Sequence, residues 1–213
     1  MRKNMNKEQF YGSIVIISGP SGVGKSTIFH NLQKIHKNLH FSVSCTTRQK
    51  RSGELDGMAY HFIDKETFEQ HIRNDDFLEY AEVHGAFYGT LKSELNCIKK
   101  GKDLLLDIDT QGRSIIRKKL KRYPFYWFRL VSVFIMPPSE KILAERLRGR
   151  GTETEEAIER RLMTGRREMA EWNTYDYVII NEDAVTAAQE LENIIQASHL
   201  ASGRITEETW RNE

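Results

Sequence analysis

Residues 19–27 read Gly-Pro-Ser-Gly-Val-Gly-Lys-Ser-Thr, after the run Ser13-Ile14-Val15-Ile16-Ile17-Ser18 with its apolar centre. The spacing fits G-x-x-x-x-G-K-[ST] without a mismatch, and few folds can carry it. A strand must lead into the loop and a helix must lead out. The glycines Gly19, Gly22 and Gly24 let the backbone curl so that successive N–H groups point at phosphate oxygens. Pro20, Ser21 and Val23 complete the curl, and the helix that opens near Lys25 adds the positive end of its dipole. Lys25 reaches the terminal phosphates as a point charge. The Ser26 hydroxyl can hold Mg²⁺, with Thr27 beside it. The motif specifies a bound nucleoside triphosphate. By itself it leaves ATPase, GTPase and small-molecule kinase open.

The rest of the chain supplies the expected frame. Apolar, β-branched runs predict strands over 13–18, 41–46, 58–63, 104–109, 130–136 and 177–180. Helical patterns lie between them, over 25–35, 65–73, 91–99, 110–120, 140–147, 155–172 and 184–198. Asp64 and Ser139 read as N-caps, Gly101 as a helix stop, and 152–155 has capping-box spacing. Strand and helix alternate, so the fold class is α/β with a central, mainly parallel sheet. Residues 41–90 break the rhythm with short strands and several glycines, which marks an inserted lobe. Residues 147–171 are dense in arginine and form a second departure. The polar tail from Ser202 is expected to fray.

Composition limits the partners. The 213 residues carry a net charge of +2, too small for a general nucleic-acid or membrane binder. No apolar run approaches the ~20 residues that cross a bilayer. The basic first residues are not followed by a signal core, so the protein is expected in the cytoplasm. Cys45 and Cys97 have no metal-ligand spacing and read as buried thiols.

Three further stretches carry chemistry. The run Leu104-Leu105-Leu106-Asp107-Ile108-Asp109 is an apolar strand ending in two carboxylates. Alternation places Asp107 and Asp109 on one face, at the sheet edge where open α/β sheets bind ligands. Asp107 is the candidate partner of Ser26 for Mg²⁺. Around Arg48, Lys50 and Arg51 lies a compact cationic loop suited to a phosphate dianion. Glu54 can brace the guanidinium groups, and Tyr60 and Tyr88 can donate to phosphate oxygens. A solvated basic loop is the alternative for that stretch. Finally, Arg146, Arg148 and Arg150 precede Gly151, and Arg160, Arg161, Arg166 and Arg167 follow on a helix. Such arginines on a closing lid stabilise charge on a transferring phosphoryl group.

Together, "GPSGVGKST", "VSCTTRQKRSGELDGMAY", "LLDIDTQG" and "RGTETEEAIERRL" closely resemble guanylate kinase, over nearly the whole chain from about residue 12 to 195. The resemblance implies a P-loop three-layer fold and ATP-dependent phosphorylation of GMP, with dGMP as a second acceptor, to give GDP and ADP. It implies a core (12–42, 94–138 and 173–195), a GMP-binding lobe (43–93) and a lid (139–172), with an extension at 1–11 and a tail at 196–213. Arg48 and Arg51, braced by Glu54, would grip the GMP phosphate with Tyr60 and Tyr88. Ser44 and Glu79 would read guanine, with Gly89, Thr90 and Asp109 beside them. Lys25, Arg48, Asp107, Arg146, Arg150 and Arg161 would carry catalysis, and Asn181 would sit by the adenine of ATP. The partners implied are GMP and ATP, with neither nucleic acid nor membrane, in a monomer or homodimer.

The residue chemistry supports Glu79 independently. Guanine offers N1–H and an exocyclic amine on one edge, and a carboxylate accepts both. Adenine would turn a lone pair toward the same group. Two other readings are weaker: a kinase-like protein-binding module, and a kinase for another phosphorylated acceptor such as a sugar phosphate. The intact loop and lid argue against the first, and the arginine pair with Glu79 against the second. The chain departs from the family at Lys50, where proline is usual, which loosens the loop and adds a charge. A second departure is the aromatic connection around Tyr126, Trp127 and Phe128, expected to pack on the core.

Overall fold

The computed structural model describes residues 11–51, 53–83, 85–149 and 154–204. Its framework is a five-stranded parallel sheet of β1 (Ile14–Ser18), β2 (Leu39–Phe41), β7 (Asp103–Asp107), β8 (Leu130–Met136) and β9 (Tyr177–Ile180), in the order β2-β7-β1-β8-β9. β1 is central, in register with β7 (Ile14 opposite Leu104) and with β8 (Ile14 opposite Leu130). All five residues of β1 are buried. A strand covered on both faces reads as an unbroken apolar run, which is why the sequence shows no alternation there.

Each face has its own core. Val15 and Ile17 pack with Ile28 and Leu32 of α1 (Lys25–Ile35) and Leu191 and Ile195 of α7 (Ala184–Ser198). Ile14 and Ile16 pack with Ile116 and Leu120 of α3 (Thr110–Leu120), and with Leu95 and Ile98. Leu95 and Ile98 lie in Lys92–Lys100, which the sequence predicts as a helix over 91–99 and which is a 3₁₀ segment. Leu95 and Ile98 stand three apart, one turn of that tighter helix, with Cys97 buried beside them.

The inserted lobe has a second sheet of β3 (Cys45–Thr46), β4 (His61–Phe62), β5 (Phe77–Val83) and β6 (Ala86–Leu91), in the order β4-β3-β6-β5. Phe68 of α2 (Lys65–Arg73) fills its core, stacked on Phe77 at 4.4 Å and Phe87 at 5.3 Å between ring centroids. A third core, Leu143, Leu147, Ile158 and Leu162, joins α5 (Glu140–Arg148) to α6 (Glu155–Met169).

Several expected boundaries change. The strand expected over 41–46 is two strands in different sheets, β2 and β3, and the one expected over 58–63 shrinks to His61–Phe62. The lobe's long hairpin, β5 and β6, was not predicted at all. The strand expected over 104–109 ends at Asp107, because Asp109 caps α3 by accepting from the Gly112 amide at 2.7 Å. Helix α6 is capped by Thr154, not by the box beginning at Thr152, and ends at Met169, with a 3₁₀ turn at Trp172–Thr174. Thr152 lies outside the described residues. The aromatic connection contains a short helix, α4 (Pro124–Trp127); Tyr126 packs on the second core as expected, whereas Phe128 is half exposed. The start of the tail does not fray: Ser202–Arg204 forms a turn, and Arg204 donates to Ser13 Oγ at 2.8 Å and to the Tyr11 carbonyl.

Candidate functional site

The loop between β1 and α1 adopts the backbone its glycines permit. Gly22 and Gly24 have φ of 87° and 103°, in the left-handed region. They are also crowded: a Cβ would lie 2.7 Å from Leu147 Cδ2 at Gly22 and 2.5 Å from Asn181 Nδ2 at Gly24. Helix α1 starts without a side-chain cap and without an acidic residue in its first turn. Its amide end and its dipole are therefore left for an anion. Lys25 bends back so that Nζ donates to the Gly19 carbonyl at 2.6 Å and lies 3.7 Å from Asp107 Oδ1. Ser26 and Thr27 are exposed on the first turn.

Asp107 ends β7 on the floor of the cleft. Its side chain is half exposed, yet the enclosing protein pushes its carboxyl above the usual range, with Lys25 pulling the other way. The hydroxyl of Ser26 and this carboxylate are hard oxygen donors. Among the described residues no group of three or more His, Cys, Asp or Glu could cage a metal ion. One carboxylate and one hydroxyl suit Mg²⁺, which keeps water and phosphate oxygens as its other ligands.

A cavity of about 210 Å³ opens on the lobe side of Asp107, lined by Ser44, Tyr60, Glu79, Tyr88, Gly89 and Asp109 among others. Glu79 is 8% exposed, and Thr90 Oγ1 donates to its Oε1 at 2.7 Å. Burial pushes the Glu79 carboxyl up, the Thr90 bond holds it down, and the charge of Asp109 adds to the rise. Ser44 Oγ stands 3.4 Å from Thr90 Oγ1. Residues 79, 81 and 83 all line the cavity, every second position of β5. Ala81 and Val83 escaped the sequence reading. The alternation in "FLEYAEV" was the available signal, unused because the strand itself was missed.

The cationic loop stands on the rim. Glu54 takes both ends of the Arg48 guanidinium, Nη2 to Oε1 at 2.7 Å and Nη1 to Oε2 at 3.0 Å, and accepts from the Arg51 amide at 2.8 Å. Those bonds, Arg48 first, lower the Glu54 carboxyl to about 2. Arg48 also lies 5.5 Å from the centre of the Tyr60 ring, which meets Tyr88 edge-on at 5.8 Å. Arg51 and Lys50 are exposed. The two threonines of "SCTTR" anchor the loop to β6: Thr46 Oγ1 donates to the Phe87 carbonyl at 3.0 Å and Thr47 Oγ1 accepts from its amide at 2.9 Å.

The lid lies against the other side of the glycine loop, where Gly165 of α6 lets the helix approach Pro20. A cavity of about 390 Å³ there is lined by Ser21, Arg160, Arg161, Thr164 and Glu168. Arg161 Nη1 donates to Ser21 Oγ at 3.4 Å. Arg146 was expected to face phosphate. Its guanidinium instead donates to the Val23 carbonyl at 3.0 Å and the Asn181 carbonyl at 2.9 Å, beneath the loop. Asn181, expected beside adenine, is 3% exposed and donates from Nδ2 to the same Val23 carbonyl at 2.7 Å. Both side chains brace the loop through the Val23 carbonyl, and Gly24 leaves the room in which the Asn181 amide sits. Arg150 lies outside the described residues. Arg148 pairs with Glu155 and Arg166 with Glu140 on the exposed side of the helices.

A cavity of about 650 Å³ between β9 and α7 is lined by Glu182, Asp183 and Glu190 with no lysine or arginine, which makes it a poor phosphate site.

The guanylate kinase family model matches residues 11–198. The chain is 46% identical over 195 residues to a guanylate kinase of Carboxydothermus hydrogenoformans, covering 91% of this chain and 92% of that one. It is 43% identical over 194 residues to a guanylate kinase of Agrobacterium fabrum, covering 91% and 86%. Among solved structures, guanylate kinase from Anaplasma phagocytophilum superposes with a TM-score of 0.72 at 35% identity, over 92% of this chain and 90% of that chain.

Proposed function

The chain belongs to the guanylate kinase family, and from that premise we propose how its residues divide the work of the family reaction. It transfers the γ-phosphoryl group of ATP to GMP. A phosphate oxygen of GMP bonds to the γ-phosphorus, the bond from that phosphorus to the β,γ-bridging oxygen breaks, and GDP and ADP leave.

The donor end is residues 19–27: backbone amides hold the β- and γ-phosphates, Lys25 swings from Gly19 onto them, and Ser26 with Asp107 receives Mg²⁺. When bound, Mg²⁺ neutralises charge on those phosphates. Arg146 and Asn181 keep the loop in shape through Val23, and Arg161, with Arg150, closes over the transferring group. At the acceptor end, Arg48 and Arg51 grip the GMP phosphate with Tyr60 and Tyr88 while Glu54 sets the arginine fork. Glu79 accepts guanine N1–H and the exocyclic amine, Ser44 donates to O6, and Thr90, Gly89 and Asp109 shape that pocket. The phosphate of GMP is already an oxyanion near neutral pH, so the protein positions and neutralises and needs no general base.

One observation supports this division above the others. Asp107 lines the acceptor cavity and stands 3.7 Å from Lys25, so one carboxylate borders both substrates. The separate apolar cores support the partition into core, lobe and lid. The named contacts read base and phosphate, not the sugar 2′-hydroxyl, so dGMP is an acceptor too, and the enzyme serves purine nucleotide recycling. We place it in the cytoplasm: its two cysteines are free and buried, and no described helix is long and apolar enough to cross a membrane.

Transfer from ATP, measured across GMP, dGMP, AMP, CMP, UMP and a sugar phosphate, tests the assignment. GMP and dGMP should turn over and the rest should not. Equal turnover of AMP would remove the role given to Glu79 and Ser44.

A further inference from the structure

Gly112 is the third residue of α3, is buried, and is not among the glycines with positive φ. Its own backbone does not call for glycine, and within a helix glycine is ordinarily weaker than alanine. The reason lies across the interface with β5. A Cβ at position 112 would lie 3.2 Å from Glu79 Oε2, 3.3 Å from Asp109 Oδ1 and 3.5 Å from Glu79 Cδ. The first two are closer than a Cβ comfortably tolerates, so a neighbour would have to yield by a few tenths of an ångström. Asp109 has little room, because its Oδ1 accepts the Gly112 amide at 2.7 Å. Nor can Glu79 withdraw freely, since Thr90 holds its Oε1 at 2.7 Å. What remains is for the carboxylate to swing out into the cavity that it lines.

We propose that Gly112 is a positioning residue for the acceptor: its missing side chain is the space in which the Glu79 carboxylate is seated at the depth and angle that guanine requires. The inference rests on Glu79 being the guanine-reading carboxylate. It explains a glycine in the first turn of a helix as a sacrifice of helix propensity for site geometry. A shift of a few tenths of an ångström matters here because a carboxylate that accepts two parallel N–H groups must match both at once.

The test is steady-state kinetics with GMP and ATP varied separately, beside thermal unfolding, for Gly112→Ala and Glu79→Gln. Gly112→Ala should raise KM for GMP about three- to tenfold. It should leave KM for ATP unchanged and the unfolding midpoint unchanged or higher, since alanine is the better helix former. A packing role alone would lower the midpoint and spare the GMP selectivity of the effect, and that result overturns the inference. If Glu79→Gln raises KM for GMP and Gly112→Ala does not, Gly112 has no part and the reading of Glu79 stands. If Glu79→Gln leaves KM for GMP unchanged, that reading falls and the inference falls with it. Should Gly112→Ala not fold, the double variant Gly112→Ala/Glu79→Asp is compared with Glu79→Asp, whose shorter side chain retreats from the new methyl. Similar stability and KM, within about twofold, support the contact, and a further loss in either overturns it.

Discussion

Glu79 works under two opposed demands. In the proposed role it must be ionised to accept two guanine N–H groups, yet its burial favours the neutral acid. Thr90 and the open side of the cavity keep the carboxylate usable. Because its proton affinity is raised in the free protein and GMP needs the ionised form, protons compete with GMP. KM for GMP should therefore climb as pH falls, starting at higher pH than an ordinary exposed glutamate would allow. The GMP phosphate itself takes up a proton near pH ~6, so the native profile contains two contributions. Glu79→Gln should weaken GMP binding throughout and leave only the phosphate contribution. Parallel profiles for the two proteins would show that Glu79 does not titrate against GMP. At this scale the sequence was uneven. Lys25 and Asp107 can be named from a motif and a strand end, and the fold brings them within 3.7 Å. The contacts of Arg146 and Asn181 with the Val23 carbonyl cannot be named that way, because they depend on where Val23 comes to lie.

Among the elements, the lobe has the smallest core and hangs on one side chain. Phe68 is fully buried, with two rings stacked on it. Phe68→Ala should cost about 3–5 kcal/mol by the scale of such truncations. The loss falls on the sheet that carries Glu79, Thr90 and the Arg48 loop. GMP use should collapse while affinity for a non-hydrolysable ATP analogue stays within about twofold, the loop and lid having their own cores. Equal loss of both nucleotides would show the lobe and core to be one cooperative unit. The bounds of α1, α2 and α3 agree with the sequence reading, because apolar spacing and a cap such as Asp64 are local chemistry. The β5–β6 hairpin was missed because its stability comes from pairing across the lobe and from packing on Phe68, neither of which shows in a short window of sequence.

Across the whole molecule, a buried charge cluster ties the far end of the sheet together, away from the nucleotide loop. Asp103 at the start of β7 accepts from the Ser13 amide at 2.6 Å and meets His199 Nε2 at 2.8 Å and His36 Nε2 at 3.0 Å. His36 Nδ1 reaches Glu192 of α7 at 2.6 Å. Burial alone would raise the Asp103 carboxyl, but the bonds from His199, His36 and Ser13 win and hold it far below the usual range. Its contribution is present above the ordinary carboxylate range and is lost only in strong acid. His36 is shifted the other way, raised by its bond to Asp103 against burial and then by Glu192. Its contribution is complete below the ordinary histidine value of about 6.5 and fades as pH rises through the elevated one. Thermal unfolding followed from about pH 6 to 9 should show the midpoint falling on the alkaline side. His36→Gln should lower the midpoint at pH 6 and flatten that fall, and an unchanged slope would place the pH dependence elsewhere.

The sequence alone determined the phosphate loop, the parallel core, the presence of an inserted lobe and an arginine-rich lid, and through several motifs in order the family. These depend on residue types at short spacing, where φ preferences, caps and alternation act locally. Tertiary structure decided the rest. It set Asp107 in the wall of the Glu79 cavity, 3.7 Å from Lys25, put Arg146 and Asn181 against the Val23 carbonyl, and made Gly112 the space that Glu79 occupies. Each of those outcomes is a contact between segments far apart in the chain, fixed by how layers pack and not by what either segment prefers.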